Sequence, residues 1–275
     1  MRILVAHSPD PDDAFMFYAM VKGLIDTGPY EFIQAYHDIE TLNRMCISGE
    51  PELSAASAAA YPYLWEKYLL VKAGASVGEG YGPIIVAREP VNPDDLKDLT
   101  VAVPGKMTTA FLAARLALGK FRYVVLPFDQ IIQAVKSGAS DAGLLIHEGQ
   151  LTYRDEGLSK VIDLGEWWNA ETGLPLVLGV NIVKRRLGAG IIADLTHILS
   201  KSISYALTHR EEALAYAASF GRGLPAQTLD RFVSMYVNRQ TETMDQDAVR
   251  GLEELLGKAR AKGLVPEFHL EIVGG

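Results

Sequence analysis

The stretch Arg88–Gly119, REPVNPDDLKDLTVAVPGKMTTAFLAARLALG, decides how this chain is divided. It holds a helical turn in PDDLKD, an apolar strand pattern in LTVAVP, a glycine turn at Gly105 and a helix that opens at MTTAF. A strand feeding a helix through a short glycine turn is the repeating unit of a parallel α/β sheet. That unit has already run upstream. ILVAH, DDAFMFYAMVKGL, YEFIQAY, IETLNRMCISG and ELSAAS alternate short apolar runs with helical periods, a βαβαβ pattern. In the first helix, Asp12 and Asp13 favour the positive end, while Pro9 and Pro11 keep the preceding loop from continuing either element. A restart after a complete run marks a second lobe.

Working outward, RYVVLP, the helix FDQIIQAVKSG, the strand DAGLLI and then LSKVIDLG continue that second lobe. The long apolar pattern LPLVLGVNIVKR carries the chain back, and from Gly188 onward apolar residues recur at helical spacing. These readings place residues 1–88 and 184–275 in a first α/β lobe with C-terminal helices, and residues 89–183 in a second. Two lobes joined by two crossings form a central cleft, a common location for a small ligand.

Bulk composition narrows the function. The 275 residues are 49% hydrophobic and 22% charged, enough for two moderate cores. A formal net charge of −8 provides no basic footprint for a phosphate backbone, so nucleic acid is not an expected partner. MRILVAHSPDPDD lacks the apolar core of a signal peptide, and no run approaches the ~18 apolar residues of a membrane span. The expectation is a cytoplasmic protein without membrane insertion. Cys46 is the only cysteine, which excludes an internal disulfide, and it reads as a helix core residue.

Open α/β sheets bind ligands at the carboxyl ends of their strands. Ser8 and Asp10 follow the first strand, and Ser54 and Ser57 lie in the small-residue junction LSAASAAAYPYLW. Thr108 and Thr109 open a helix whose free N–H groups suit a carboxylate or phosphate, or one of the two simply caps it. GKMTT lacks the Walker glycine spacing and LSAAS is no nucleophile elbow, so nucleotide hydrolysis and serine hydrolysis are disfavoured. His147, in GLLIHEGQLTY, follows a strand and precedes a helix, where an imidazole titrating near neutral pH suits proton transfer. No second histidine or acidic cluster stands at ligand spacing from it, so no metal site is expected. His7 and His37 end strands and are further cleft candidates, while Trp167, Trp168 and Asn169 offer an aromatic wall for a planar ligand.

Taken together, SPDPDDAFMFYAM, VAVPGKMTTAFLAARL, DAGLLIHEGQLTY and the terminal YVN with GLEELLGKARAKGLVP resemble the 1,4-dihydroxy-6-naphthoate synthase family of the futalosine route to menaquinone. The resemblance spans almost the whole chain, and LLIHEGQLTY is its most specific motif. It implies a two-lobed, periplasmic-binding-protein-like (type II) fold in a protein that is not periplasmic. It also implies a lyase that converts cyclic dehypoxanthine futalosine to 1,4-dihydroxy-6-naphthoate without a metal or organic cofactor. By position, His147 matches the family's proposed base, Thr108 and Thr109 its anion-holding pair, and Ser54 and Ser57 its pocket segment. The first loop departs from the family's Ser-Pro-Cys-Pro-Asn-Asp-Thr, with Asp10, Asp12 and Ala14 in place of Cys, Asn and Thr. The implied partner is a small anionic substrate, and a homodimer is compatible with the family. The rival readings are a non-catalytic solute-binding protein of the same fold and the sister pathway enzyme chorismate dehydratase.

Overall fold

The computed structural model describes residues 1–274. The chain opens with β1 (Arg2–His7), α1 (Pro11–Val21), β2 (Glu31–Tyr36), α2 (Ile39–Ser48), β3 (Leu53–Ser57) and β4 (Tyr68–Gly78). Next come β5 (Ile84–Ala87), β6 (Thr100–Val103), α3 (Thr109–Leu118), β7 (Arg122–Val125), α4 (Ile131–Ser137), β8 (Ala142–Leu145), α5 (Gly149–Thr152), β9 (Ser159–Asp163) and α6 (Leu164–Thr172). The return is β10 (Leu176–Lys184), followed by α7 (Ala189–Thr208), α8 (Arg210–Ala218), α9 (Ala226–Tyr236), α10 (Arg239–Glu242), α11 (Gln246–Ala261) and β11 (Ile272–Val273).

Two sheets result. The first has the order β11-β4-β10-β3-β1-β2 and the second β7-β6-β8-β5-β9. In the first, β1 is parallel to β2 and β3, while β10 runs antiparallel between β3 and β4. In the second, β6 is parallel to β7 and β8, while β5 runs antiparallel between β8 and β9. One antiparallel strand in each sheet is therefore the strand on which the chain arrives from the other lobe.

Local chemistry sets the helix ends. Pro11 occupies the first turn of α1, where its missing N–H leaves nothing unbonded, with Asp12 and Asp13 beside it at the positive pole. Asp38 caps α2 by accepting from the Thr41 N–H, and Gly49 ends that helix at φ +78°, a conformation that favours glycine.

The crossings fall earlier than the sequence suggests. Ile84–Ala87 lies inside the span expected for the first lobe, yet it hydrogen-bonds into the second sheet. Leu176–Val183 lies inside the expected second lobe, yet it pairs with β3 and β4 of the first sheet. The apolar run of β5 follows a glycine-rich turn and so reads as the second arm of a hairpin; the turn instead leaves the sheet. A second correction concerns the aromatic pair. Trp168 is fully buried in the core and its indole N–H donates to the Pro175 carbonyl, so the tryptophans build packing rather than a ligand wall. Among the described residues no helix is long and apolar enough to cross a membrane.

Candidate active site

The ends of β1, β3, β8 and β10 and the start of α3 converge on a cleft between the sheets, enclosing about 710 Å³ of space that includes some open solvent. Ser8, Ser57, Thr108, Thr109 and His147 all line it. Asp10 and Ser54 do not.

His147 immediately follows Ile146 at the end of β8 and has φ +53°, a left-handed conformation that costs a non-glycine residue energy. Its Nδ1 lies 3.3 Å from Asp10 Oδ2, at ion-pair distance but without hydrogen-bond alignment. Its Nε2 is buried and has no hydrogen-bond partner among the described residues. The edge of Phe128 packs on the imidazole with centroids 4.9 Å apart, and the Arg222 guanidinium lies 4.8 Å from the same phenyl ring. Arg222 also spans the lobes, donating to Asp10 Oδ1 at 2.7 Å and to Glu148 Oε1 at 2.7 Å. Burial pushes the Asp10 carboxyl up, but His147 and Arg222 outweigh it and hold the group below its ordinary range.

Beside His147 on the same lobe, the strand next to β8, β6, leads into the start of α3. Thr108 caps α3, donating its hydroxyl to the Gly105 carbonyl and accepting from the Phe111 N–H. The Thr109 hydroxyl is committed as well, donating to the Leu178 carbonyl and accepting from the Ala59 N–H at 3.1 Å. What faces the cleft is therefore the helix's own first turn, whose N–H groups have no intrahelical acceptor. Ser57 adds a donor. Its hydroxyl accepts from Asn43 Nδ2 at 3.0 Å and its N–H donates to Asn43 Oδ1, which leaves the hydroxyl proton free.

Ser8 is less free, since its N–H and hydroxyl both donate to Asp13 Oδ2, at 2.7 and 2.8 Å. Ser54 turns its hydroxyl to the Ala55 carbonyl on the buried side of β3. Both cleft-candidate histidines fall elsewhere. His7 is buried, stacked on Phe17, and its ring nitrogens meet the Ser8 carbonyl and Gln34 Oε1, while His37 is exposed. Cys46 is a buried core residue whose thiol is pushed up to about 11 by burial.

A family model described as menaquinone biosynthesis matches residues 3–261. The chain belongs to this family.

A curated relative from Thermus thermophilus, named 1,4-dihydroxy-6-naphthoate synthase, is 39% identical over 94% of this chain and 93% of its own length. One of the same name from Streptomyces coelicolor is 35% identical over 95% and 94%. A crystal structure of an Archaeoglobus fulgidus protein superposes with a TM-score of 0.92 at 46% identity, covering 96% of this chain and 98% of that one. A Candida albicans protein described as having the generic periplasmic binding protein fold superposes at 0.70, with 14% identity over 98% and 92%. That last likeness shows the fold alone: two lobes of the periplasmic-binding-protein type. The relatives show that this member of the menaquinone biosynthesis family is an enzyme.

Several residues of the family member's site escaped the sequence reading. Asn181 lines the cleft, holding the Gly74 carbonyl with Nδ2 while its Oδ1 is buried and unpartnered. Its signal was there, as the one amide inside the apolar run LPLVLGVNIVKR. Gln150 accepts from the Tyr236 hydroxyl at 2.7 Å, joining the motif after His147 to α9. Arg222 had no signal, because it lies 212 residues from Asp10 in a loop with no distinguishing pattern.

Proposed function

We propose that the enzyme converts cyclic dehypoxanthine futalosine to 1,4-dihydroxy-6-naphthoate, acting as a cofactor-independent lyase of the cytoplasm with His147 as general base. One observation carries the reading: His147 Nε2 is buried without a partner among the described residues, in a cleft that a helix N-terminus also lines. A base needs a lone pair facing the substrate, and an anionic substrate needs donors that hold it in register. The two follow neighbouring parallel strands, β8 and β6, of the second lobe. The full-length likeness to enzymes named for this product supports the reading.

In this reading the amides at the start of α3 and the Ser57 hydroxyl hold the carboxylate end of the substrate. Nε2 removes a proton from the cyclised sugar portion, starting carbon–carbon cleavage and elimination. Aromatisation of the naphthoate drives the reaction forward and a sugar-derived fragment leaves. The protein positions the substrate, moves protons and excludes water.

The test is turnover of cyclic dehypoxanthine futalosine followed by absorbance and mass, beside His147→Ala. The wild type should form the naphthoate. The variant should keep binding the substrate and lose about 10²–10⁴ in kcat, the usual worth of a positioned base. Binding without product by the wild type would leave a solute-binding relative; full activity in the variant would remove His147 from the chemistry.

A further inference from the structure

The loop after β1 carries three acids with different surroundings. Asp10 is paired with Arg222, and Asp13 receives both donors of Ser8. Asp12 has no paired cation and no side-chain donor among the described residues; only the backbone N–H groups of Asp12 and Asp13 favour its ionised form. It lines the cleft at 8% exposure, and its Oδ1 is buried without a hydrogen-bond partner. The charges that bear on it most are Asp13 and Asp10, both acids. A buried carboxylate beside like charges and without a paired cation does not stay ionised; it takes up a proton. Burial first, then Asp13 and Asp10, push Asp12 well above the usual carboxylate range.

Protonation changes what the side chain can do. An ionised carboxylate only accepts hydrogen bonds, whereas a carboxylic acid also donates one. Within the cleft Asp12 Oδ1, His147 Nε2 and Asn181 Oδ1 are all buried and unpartnered. Buried polar atoms are nearly always satisfied, so three orphans around one space point to a ligand that satisfies them.

We propose that Asp12 stands in the cleft as a neutral carboxylic acid and donates a hydrogen bond to a carboxylate or carbonyl oxygen of the bound substrate. The inference rests on the reading of the cleft as the substrate site. The titratable groups around Asp12 are Asp13 and Asp10 from its own segment and Tyr236 from α9, with His147 on the facing lobe and Arg222 acting through Asp10. Burial pushes Tyr236 far up, so it stays neutral beside Asp12.

Two measurements test the proposal. The first needs no substrate: infrared difference spectra of wild type and Asp12→Asn at neutral pH should show a protonated-carboxyl carbonyl band that the substitution removes. A spectrum unaltered by the substitution overturns the neutral acid. The second follows affinity for 1,4-dihydroxy-6-naphthoate by calorimetry and turnover of cyclic dehypoxanthine futalosine. Asp12→Ala should raise KM about tenfold or more with a smaller change in kcat, and Asp12→Asn, whose amide also donates, should recover most of that loss. Wild-type KM should climb as alkaline pH ionises the acid, and the Asn variant should lack that limb. An unchanged KM in the Ala variant overturns the donor role. So does a collapse of kcat in the Asn variant, which would make Asp12 a catalytic acid. A wild type that neither binds nor turns over these compounds overturns the function reading and the donor role with it, while the infrared band reports separately on the protonation of Asp12.

Discussion

At the scale of single residues, Asp10 shows how a group that does not line the cleft can hold one that does. Burial alone would raise its carboxyl, and His147 and Arg222 reverse that. A carboxyl whose folded value is depressed adds stability that is present above its unfolded value and is lost as pH falls through the folded one. Asp10→Asn should therefore cost about 1–3 kcal/mol at neutral pH, discounted for the partly exposed Arg222. That cost should shrink as pH falls below about 4, where the unfolded carboxyl takes up its proton first, and vanish once the folded one is protonated as well. Denaturant melts of both proteins across that range check it; a cost that ignores pH would mean the contact is packing and not charge. Legibility at this scale was uneven. Side chains alternate faces along a strand, so Ser54 and Ser57, three positions apart, had to point opposite ways. Read from the sequence as one small-residue junction, without that alternation applied, both are expected in the pocket, and only Ser57 reaches the cleft. The left-handed backbone of His147 was not legible, because nothing in GLLIHEGQ calls for a positive φ at that position.

At the scale of elements, strand and helix alternation was legible because each unit carries its own period, while strand membership was not, because an apolar run is the same in either sheet. The crossing before β5 is decided by glycine against glycine. Gly82 in the crossing packs on Gly165 at the start of α6, and a Cβ on Gly165 would overlap the Tyr81 carbonyl. The Tyr81 hydroxyl donates to the Met235 carbonyl, so the same crossing is gripped from the helical side as well. No local pattern announces that grip, since EGYG is equally good turn chemistry. Gly165→Ala should destabilise by about 1–3 kcal/mol through overpacking, read as a fall in thermal midpoint. Gly190, in the first turn of the exposed start of α7 with nothing within 4 Å of an added Cβ, is the control. There the change to alanine should add a few tenths to about 1 kcal/mol, from helix propensity alone. Equal effects at the two sites would remove the close approach from the account of the crossing.

At the scale of the whole molecule, the lobes meet through two joints of different chemistry. One is apolar and continuous. Ile182 of the first sheet, Val103 of the second, Phe111 of α3, Trp168 of α6 and Leu252 and Leu255 of α11 belong to a single core cluster. A joint of that kind holds in any salt and does not release the lobes from one another. The other is ionic: Arg222 ties Asp10 of the first lobe to Glu148 of the second, and Glu40 of α2 accepts across the lobes from the Met107 N–H. Relative movement should concentrate where charges are exchanged with water at little net cost, which makes Arg222 the residue to change. Arg222→Ala should cost about 1–3 kcal/mol of global stability, because it leaves Asp10, 1% exposed, without its guanidinium. Beyond that cost its effect should be local: faster hydrogen exchange in the segment from His147 to Tyr153 and in the loop after β1, and a several-fold rise in KM. Arg222→Lys should restore little, since one ammonium cannot serve two carboxylates and stack on Phe128 as the planar fork does. Unchanged exchange in both segments would mean that the apolar joint alone sets how the lobes sit. A uniform rise across the chain would mean that Arg222 supports the fold as a whole and not the mouth of the cleft.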